Sequence, residues 1–290
     1  MLWVHLDRSA EPAKTWLLTA SGLDPLVAEN LLAEETRPRA LELNGNLLVN
    51  LRGVNLNPGA DADDMVSLRM WFEPQRIVSA RHRRLMAIDD IRERIARGRG
   101  PAGPGDFLVE FAGLLVQRMS PVIEALDETA DDLEDQVVGG ERQDVRSRLA
   151  GLRRQAISLR RYLAPQREAL SRIVGEPVPW LAERHKAQLR EISDRTTRYV
   201  EDLDAIRERA GIIQDEVANR VSESMNRNMY LLAIVATVML PLGFLTGLLG
   251  INVDGLPGAE DTPWAFGAVT AFLVVLVAVQ VLVMRRLKWF

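Results

Sequence analysis

The chain contains no cysteine. That excludes a zinc–thiolate centre and any disulfide, and it is compatible with a reducing compartment. Histidine is scarce too. His5, His82 and His185 lie far apart, with no second histidine or carboxylate at metal-ligand spacing, so each is expected at the surface rather than as a ligand. No P-loop, dinucleotide fingerprint or serine-nucleophile elbow is present, so neither an enzyme activity nor a resident cofactor is expected. A basic excess is also missing. Thirty-six Lys and Arg stand against 40 Asp and Glu, a formal charge of −4, which leaves no electrostatic footprint for nucleic acid. The opening Met-Leu-Trp-Val-His-Leu-Asp lacks the basic start and apolar run of a signal peptide.

The most telling absence is local. From Asn228 to Val253 there is no charged residue, and after an acidic connection the same holds from Thr262 to Met284. Spanning a hydrocarbon core of roughly 30 Å takes about 20 apolar residues in a helix. Both runs are long enough, so a two-helix membrane hairpin is expected at the end of a soluble body; the alternative is a pair of core helices in a soluble protein. Arg220 and Arg227 precede the first run, and Arg285, Arg286 and Lys288 follow the second. The connection carries Asp254, Glu260 and Asp261 and no base. By the positive-inside rule the body and both termini are then cytoplasmic and the acidic loop is external. The loop acids and tail bases cancel, which places the whole −4 on the body.

Within the body, residues 1–100 read as an α/β domain. Leu41 and Leu43, then Asn44-Gly45, then Leu47, Val49 and Leu51 alternate around a hairpin turn. Val66, Leu68, Met70 and Phe72 alternate likewise, and Arg76–Ser79 resumes after Glu73-Pro74-Gln75. Helices are expected at about Pro25–Glu35 and Arg84–Arg97. Gly98 to Gly105 is a linker rich in glycine and proline. The region 101–227 is helical throughout. Asp106 is expected to cap a helix ending near Val138, a second spans about Glu141–Ile173, and a third starts near Trp180. The remaining segments are the first span at 228–253, the loop at 254–261, the second span at 262–284 and a basic tail at 285–290.

In that third helix Leu189, Ile192, Thr196, Tyr199, Leu203, Ile206, Ala210, Ile213 and Val217 alternate by three and four. No Pro or Gly pair separates this seam from the first span, so one helix of about 70 residues, on the order of 105 Å, is expected to enter the membrane. The seam is read as several chains packed around an axis, against the alternative of an intrachain hairpin. Glu124, Asp127, Glu128 and Asp131 share one face of the first long helix. Two readings stand for them: an ion-pair ladder with the basic helix that follows, or a surface that collects divalent cations.

Polar exceptions in the first span are Thr237, Pro241, Gly243, Thr246, Gly247, Gly250 and Asn252. Small residues and proline are ordinary at helix contacts in lipid. Asn252, where the apolar run ends, offers carbonyl oxygen without fixed charge, which suits a partly hydrated cation.

The stretch Met239-Leu-Pro-Leu-Gly-Phe-Leu-Thr-Gly-Leu-Leu-Gly-Ile-Asn252, with Val-Asp-Gly-Leu-Pro-Gly and Pro263-Trp-Ala-Phe266 after it, resembles the CorA superfamily of divalent-cation transporters. That superfamily carries two C-terminal spans and a Gly-X-Asn signature. Its magnesium branch has Tyr-Gly-Met-Asn at the signature. Leu249-Gly250-Ile251-Asn252, the loop, and Trp71-Phe72 through Leu85 are instead similar to the ZntB zinc-transporter branch. The resemblance covers essentially the whole chain. It implies an α+β membrane protein, with a cytoplasmic α/β domain, a helical stalk and two transmembrane helices, assembled as a funnel-shaped homopentamer in the inner membrane lipid. Five first spans would line a pore, with Gly250, Ile251 and Asn252 as the selectivity element and metal held only transiently at Asn252. Helical register back from Asn252 puts Gly243, Leu240, Ala236, Leu232 and Met229 on the pore face, the leucines and Met229 forming apolar constrictions. Gly243 departs from the hydroxyl residue that the family often carries there. Asp254, Glu260 and Asp261 would attract cations outside. The expected function is divalent-cation transport with Zn²⁺ favoured. A Mg²⁺ or Co²⁺/Ni²⁺ channel and, more distantly, a membrane-tethered scaffold or sensor are the alternatives.

Overall fold

The computed structural model describes residues 1–34, 37–139, 144–250 and 264–286. Two compact units result, Met1–Glu216 and Val217–Phe290.

The first unit is built on a five-stranded sheet of β1 (Leu2–Asp7), β2 (Arg39–Leu43), β3 (Asn46–Gly53), β4 (Val66–Phe72) and β5 (Arg76–Arg81), in the order β1-β5-β4-β3-β2. All neighbours are antiparallel except β1 and β5. The expected hairpin is β2–β3. Asn44 and Gly45 both take positive φ, 53° and 78°, the conformation a two-residue turn of the primed type requires. Trp180 donates its indole N–H to the Gly45 carbonyl at 3.1 Å and stacks on Phe72, which fixes the turn against the chain before the last long helix. β1 and helix α1 (Glu11–Thr19) were not legible in the sequence. In β1 the alternation is blurred because residues on both its faces are half-buried, and its partner β5 lies about 74 residues away.

Helices cover both faces of the sheet, which is why the central strands read as nearly continuous apolar runs. On one side Leu48, Trp71, Val78 and Ala80 pack on Leu17 of α1 and on Val27 and Leu31 of α2 (Pro25–Leu32). On the other, Leu47, Val49, Leu51, Leu68, Met70, Phe72 and Ile77 meet Ile88 and Ile91 of α3 (Met86–Ala96), Phe107, Phe111 and Leu115 of α4 (Pro104–Val138), and Leu170 and Ile173 of α5 (Val145–Gly175). Leu189 and Ile192 of α6 (Glu183–Leu249) join the same core. One core therefore draws on both sides of the glycine-rich linker. Phe107 and Phe111 are wholly buried, and truncating either to alanine costs about 3–5 kcal/mol.

Two expectations are corrected here. Asp106 does not cap α4: the cap position is Gly103, Pro104 opens the helix, and Asp106 sits in its first turn facing α6. The heptad seam of α6 is spent inside the chain. Leu189, Ile192, Thr196, Leu203, Ile206, Ala210 and Ile213 are buried within a single copy, so they form no interchain seam. The Ser171–Ser193 hydroxyl pair at 2.9 Å and the Arg160–Asp204 ion pair at 2.7 Å tie α6 to α5, and Arg209 ties it to α4. The regular three-four spacing recorded a hairpin-like intrachain packing.

Candidate functional site

Among the described residues, the second half of α6 and helix α7 (Ala265–Arg286) are the two helices long and apolar enough to cross a membrane, and none of their most apolar stretch is buried. Core helices of a soluble protein would be mostly buried, so that alternative fails. In both helices the partly buried residues fall on one face. On α6 they are Ile234, Val238, Pro241, Leu242 and Leu245; on α7 they include Leu273, Val277, Gln280 and the buried Met284.

The residues singled out by register lie elsewhere. Met229 is 56%, Leu232 70% and Leu240 72% exposed, and Ala236 and Gly243 are exposed with them. At about 100° per residue their mean direction is roughly 180° from that of the partly buried face. The stripe thus lies opposite the partly buried face, within the larger part of the helix surface that this chain leaves exposed. Gly247 and Gly250 continue it, and a Cβ at Gly243 or Gly247 would meet nothing within 4 Å. Gly247 lies four residues on from Gly243, and Met225, a turn before Met229, is exposed on the same side. Thr237 and Thr246 turn their hydroxyls back onto the Ala233 and Leu242 carbonyls, 2.8 and 2.9 Å away, the usual way a hydroxyl is satisfied in an apolar helix. Ile251, Asn252, Asp254, Glu260 and Asp261 lie outside the described residues.

Among the described residues the acidic face of α4 does not form the expected ion-pair ladder with α5. None of Glu124, Asp127, Glu128 and Asp131 pairs with α5 among the described residues. Asp127, Asp131 and Glu134 converge instead on Arg209 of α6, and Glu124 accepts from Ser120. These carboxylates, Glu134 and Asp131 foremost, hold the Arg209 guanidinium even more firmly protonated than usual. Beside them Glu124, Asp127 and Asp202 line a cavity of about 250 Å³, where burial and then the neighbouring Asp127 push the Asp202 carboxyl up from its ordinary value. Among the described residues no group of three or more carboxylates and histidines is arranged to hold a metal ion. Arg209→Ala is expected to lower the melting temperature by a few degrees in low salt and by less at 1 M salt, because exposed charge pairs contribute about 1 kcal/mol or less. Thermal denaturation at the two ionic strengths checks this.

Two of the three histidines are not surface residues. His185 is 5% exposed; its Nδ1 accepts from the Ala182 N–H at 3.2 Å and its Nε2 stands 3.0 Å from Asp106 Oδ1, joining the starts of α4 and α6. Gly105 is needed there, since a side chain would collide with that imidazole. His5 is half-buried, with Nδ1 2.8 Å from the Ser79 hydroxyl that also accepts from Trp3 Nε1. Burial first, then Arg81 and Arg92, outweigh Asp89 and Asp7 and lower its pKa from 6.5 to about 4. The unfolded chain therefore binds the proton first, so His5 reduces stability progressively as pH falls from about 6.5 to about 4. His5→Gln should flatten that part of the stability–pH curve, measured by denaturant titration. His82 is exposed as expected.

The family model for the CorA-like Mg²⁺ transporter protein matches residues 1–286. The chain belongs to the CorA family of divalent-cation transporters. It is 41% identical over 290 residues to the divalent cation transporter CmaX of Pseudomonas aeruginosa, covering 99% of this chain and 87% of that one. To the zinc transport protein ZntB of Yersinia enterocolitica it is 37% identical over 287 residues, with the same coverage. The solved structure of full-length CmaX superposes with a TM-score of 0.85 at 41% identity, over 99% of this chain and 88% of that one. These relatives are transporters, not enzymes.

Proposed function

We propose that the protein carries divalent cations, Zn²⁺ favoured, across the inner membrane as a homopentamer whose pore is lined by the exposed stripe of α6. The observation that supports this reading is the placement of Met229, Leu232, Ala236, Leu240 and Gly243 on an exposed side of α6, opposite the partly buried face. An uncovered, uniformly uncharged face in a membrane helix is what a symmetric ring of copies would enclose. Met229, Leu232 and Leu240 would be apolar constrictions that gate by dewetting. Gly243, Gly247 and Gly250 would leave the outer part wider, ahead of the Gly250-Ile251-Asn252 selectivity element where the metal sheds part of its water. Asp254, Glu260 and Asp261 would concentrate cations outside, both termini being cytoplasmic. The acids of α4 would add negative potential on the cytoplasmic side rather than ligands, since Arg209 already holds Asp127 and Asp131.

A broader cation range is the second reading. It is favoured by the likeness to CmaX, whose name specifies a divalent cation and no particular metal. Neither span contains Asp, Glu, His, Lys or Arg, so any coupling to protons near neutral pH would use groups outside them.

The absence of cysteine makes the pore face testable directly. In Leu240→Cys a thiol reagent should block zinc uptake into liposomes, whereas Val238→Cys, on the opposite face, should stay active. Block at Val238 with none at Leu240 would overturn the proposed face.

A further inference from the structure

On the side of the sheet covered by α1 and α2, the apolar row Leu48–Trp71–Val78 gives way to a polar one. Asn50 of β3 and Arg69 of β4 are direct partners in the ladder and so project from the same face. Arg69 is 0% and Asn50 1% exposed. The Arg69 guanidinium donates to the Ser67 hydroxyl at 3.2 Å and to the Glu34 carbonyl at 3.1 Å, and both acceptors are neutral. Arg8 reaches the same Glu34 carbonyl at 3.5 Å and the Leu32 carbonyl at 3.3 Å. Neither arginine forms an ion pair with a carboxylate among the described residues. Three buried donors are left over: Nε of Arg69, Nε of Arg8 and Nδ2 of Asn50, with Oδ1 of Asn50 also unpartnered.

Such a group conflicts with ordinary burial. A buried guanidinium stays charged and requires a counter-charge, and each unmade hydrogen bond at a buried polar atom costs about 1–3 kcal/mol. Here two like charges adjoin, and among the described residues the donors outnumber the acceptors and every hydrogen-bond partner of the two arginines is neutral. Burial, followed by the nearby Arg8 and Arg52, lowers the Arg69 pKa to about 10, a mark of the same imbalance. An added neutral acceptor would satisfy donors but not the charge. We propose that Arg8, Asn50 and Arg69 form a binding site for a small inorganic anion, which ties β4 to the end of α2. Both amines of Arg69 and of Arg8 already have acceptors, and the unpartnered atom of each guanidinium is its Nε. That geometry suits a halide or a single oxygen of phosphate.

The test is the melting temperature of the purified full-length protein at fixed ionic strength and pH, as gluconate is exchanged for bromide or for inorganic phosphate. A ligand that binds only the native state raises it in proportion to ln(1 + [L]/Kd). The expected result is a saturable rise with one of the two anions. The half-effect concentration should move at least tenfold upward in Asn50→Leu, which keeps the volume and removes the free amide, and in Arg8→Gln. Arg69→Met should abolish the dependence if it folds; the other two variants decide the matter if it does not. A rise with bromide, with an anomalous peak beside Arg69 Nε in bromide-grown crystals, identifies a halide site. A rise with phosphate alone identifies an oxyanion site. Identical anion dependence in wild type, Asn50→Leu and Arg8→Gln would overturn the proposal, as would a bromide peak without any thermal effect, which would mark an adventitious ion only.

Discussion

Leu240→Asp should raise the resting conductance of the proposed pore. Leu240 is 72% exposed on the uncovered stripe of α6, so the substitution removes almost no packing within the chain. In the proposed assembly it would place a ring of carboxylates where an apolar constriction excludes water. A wetted constriction conducts, because the barrier is the cost of dehydrating the passage rather than a steric block. Resting conductance in planar bilayers should rise at least about tenfold, which corresponds to roughly 1.4 kcal/mol off the barrier. Val238→Asp supplies the contrast: Val238 is on the partly buried face, so the same change should impair folding or expression instead of raising leak. An unchanged resting conductance in assembled Leu240→Asp would count against the register.

Asn252→Ala should remove discrimination among cations while leaving assembly intact. An ion entering an uncharged pore exchanges part of its hydration shell for fixed oxygens, and amide carbonyls supply those without the deep binding a carboxylate would create. With methyl groups in their place, the ratio of zinc to magnesium uptake should fall towards one and total flux should drop by at least about tenfold, roughly 1.4 kcal/mol added to the barrier. Oligomer size by native mass spectrometry should be unchanged. Wild-type uptake of both metals in this variant would remove Asn252 from the proposed selectivity element.

Much of the architecture could be read from residue order because it depends on local signals. The Asn44-Gly45 turn, the alternation of β4 and the uncharged runs are each settled within about 25 residues. What escaped reading depends on distant partners. β1 is defined by parallel pairing to β5, and its own alternation is hidden because both faces are half-covered. The partner of the α4 acids is Arg209, roughly 80 residues away, whereas the nearer and more numerous arginines of α5 are mostly solvated. The α6 seam was legible as a seam but not as intrachain, since spacing by three and four is the same whichever helix lies opposite. His185 and Asp106 come together only when the starts of α4 and α6 meet. The stripe of Met229, Leu232, Ala236, Leu240 and Gly243 was drawn from helical periodicity alone, and these residues are exposed on α6.

The measurement that tests the central claim most directly is uptake of Zn²⁺ and Mg²⁺ by the purified protein in liposomes, with and without an inward proton gradient. The account predicts zinc entry well above that of protein-free vesicles and faster than magnesium entry. A response to the proton gradient would locate coupling groups outside the spans, and its absence would mark passive flow. Zinc and magnesium entry both indistinguishable from protein-free vesicles would contradict the account.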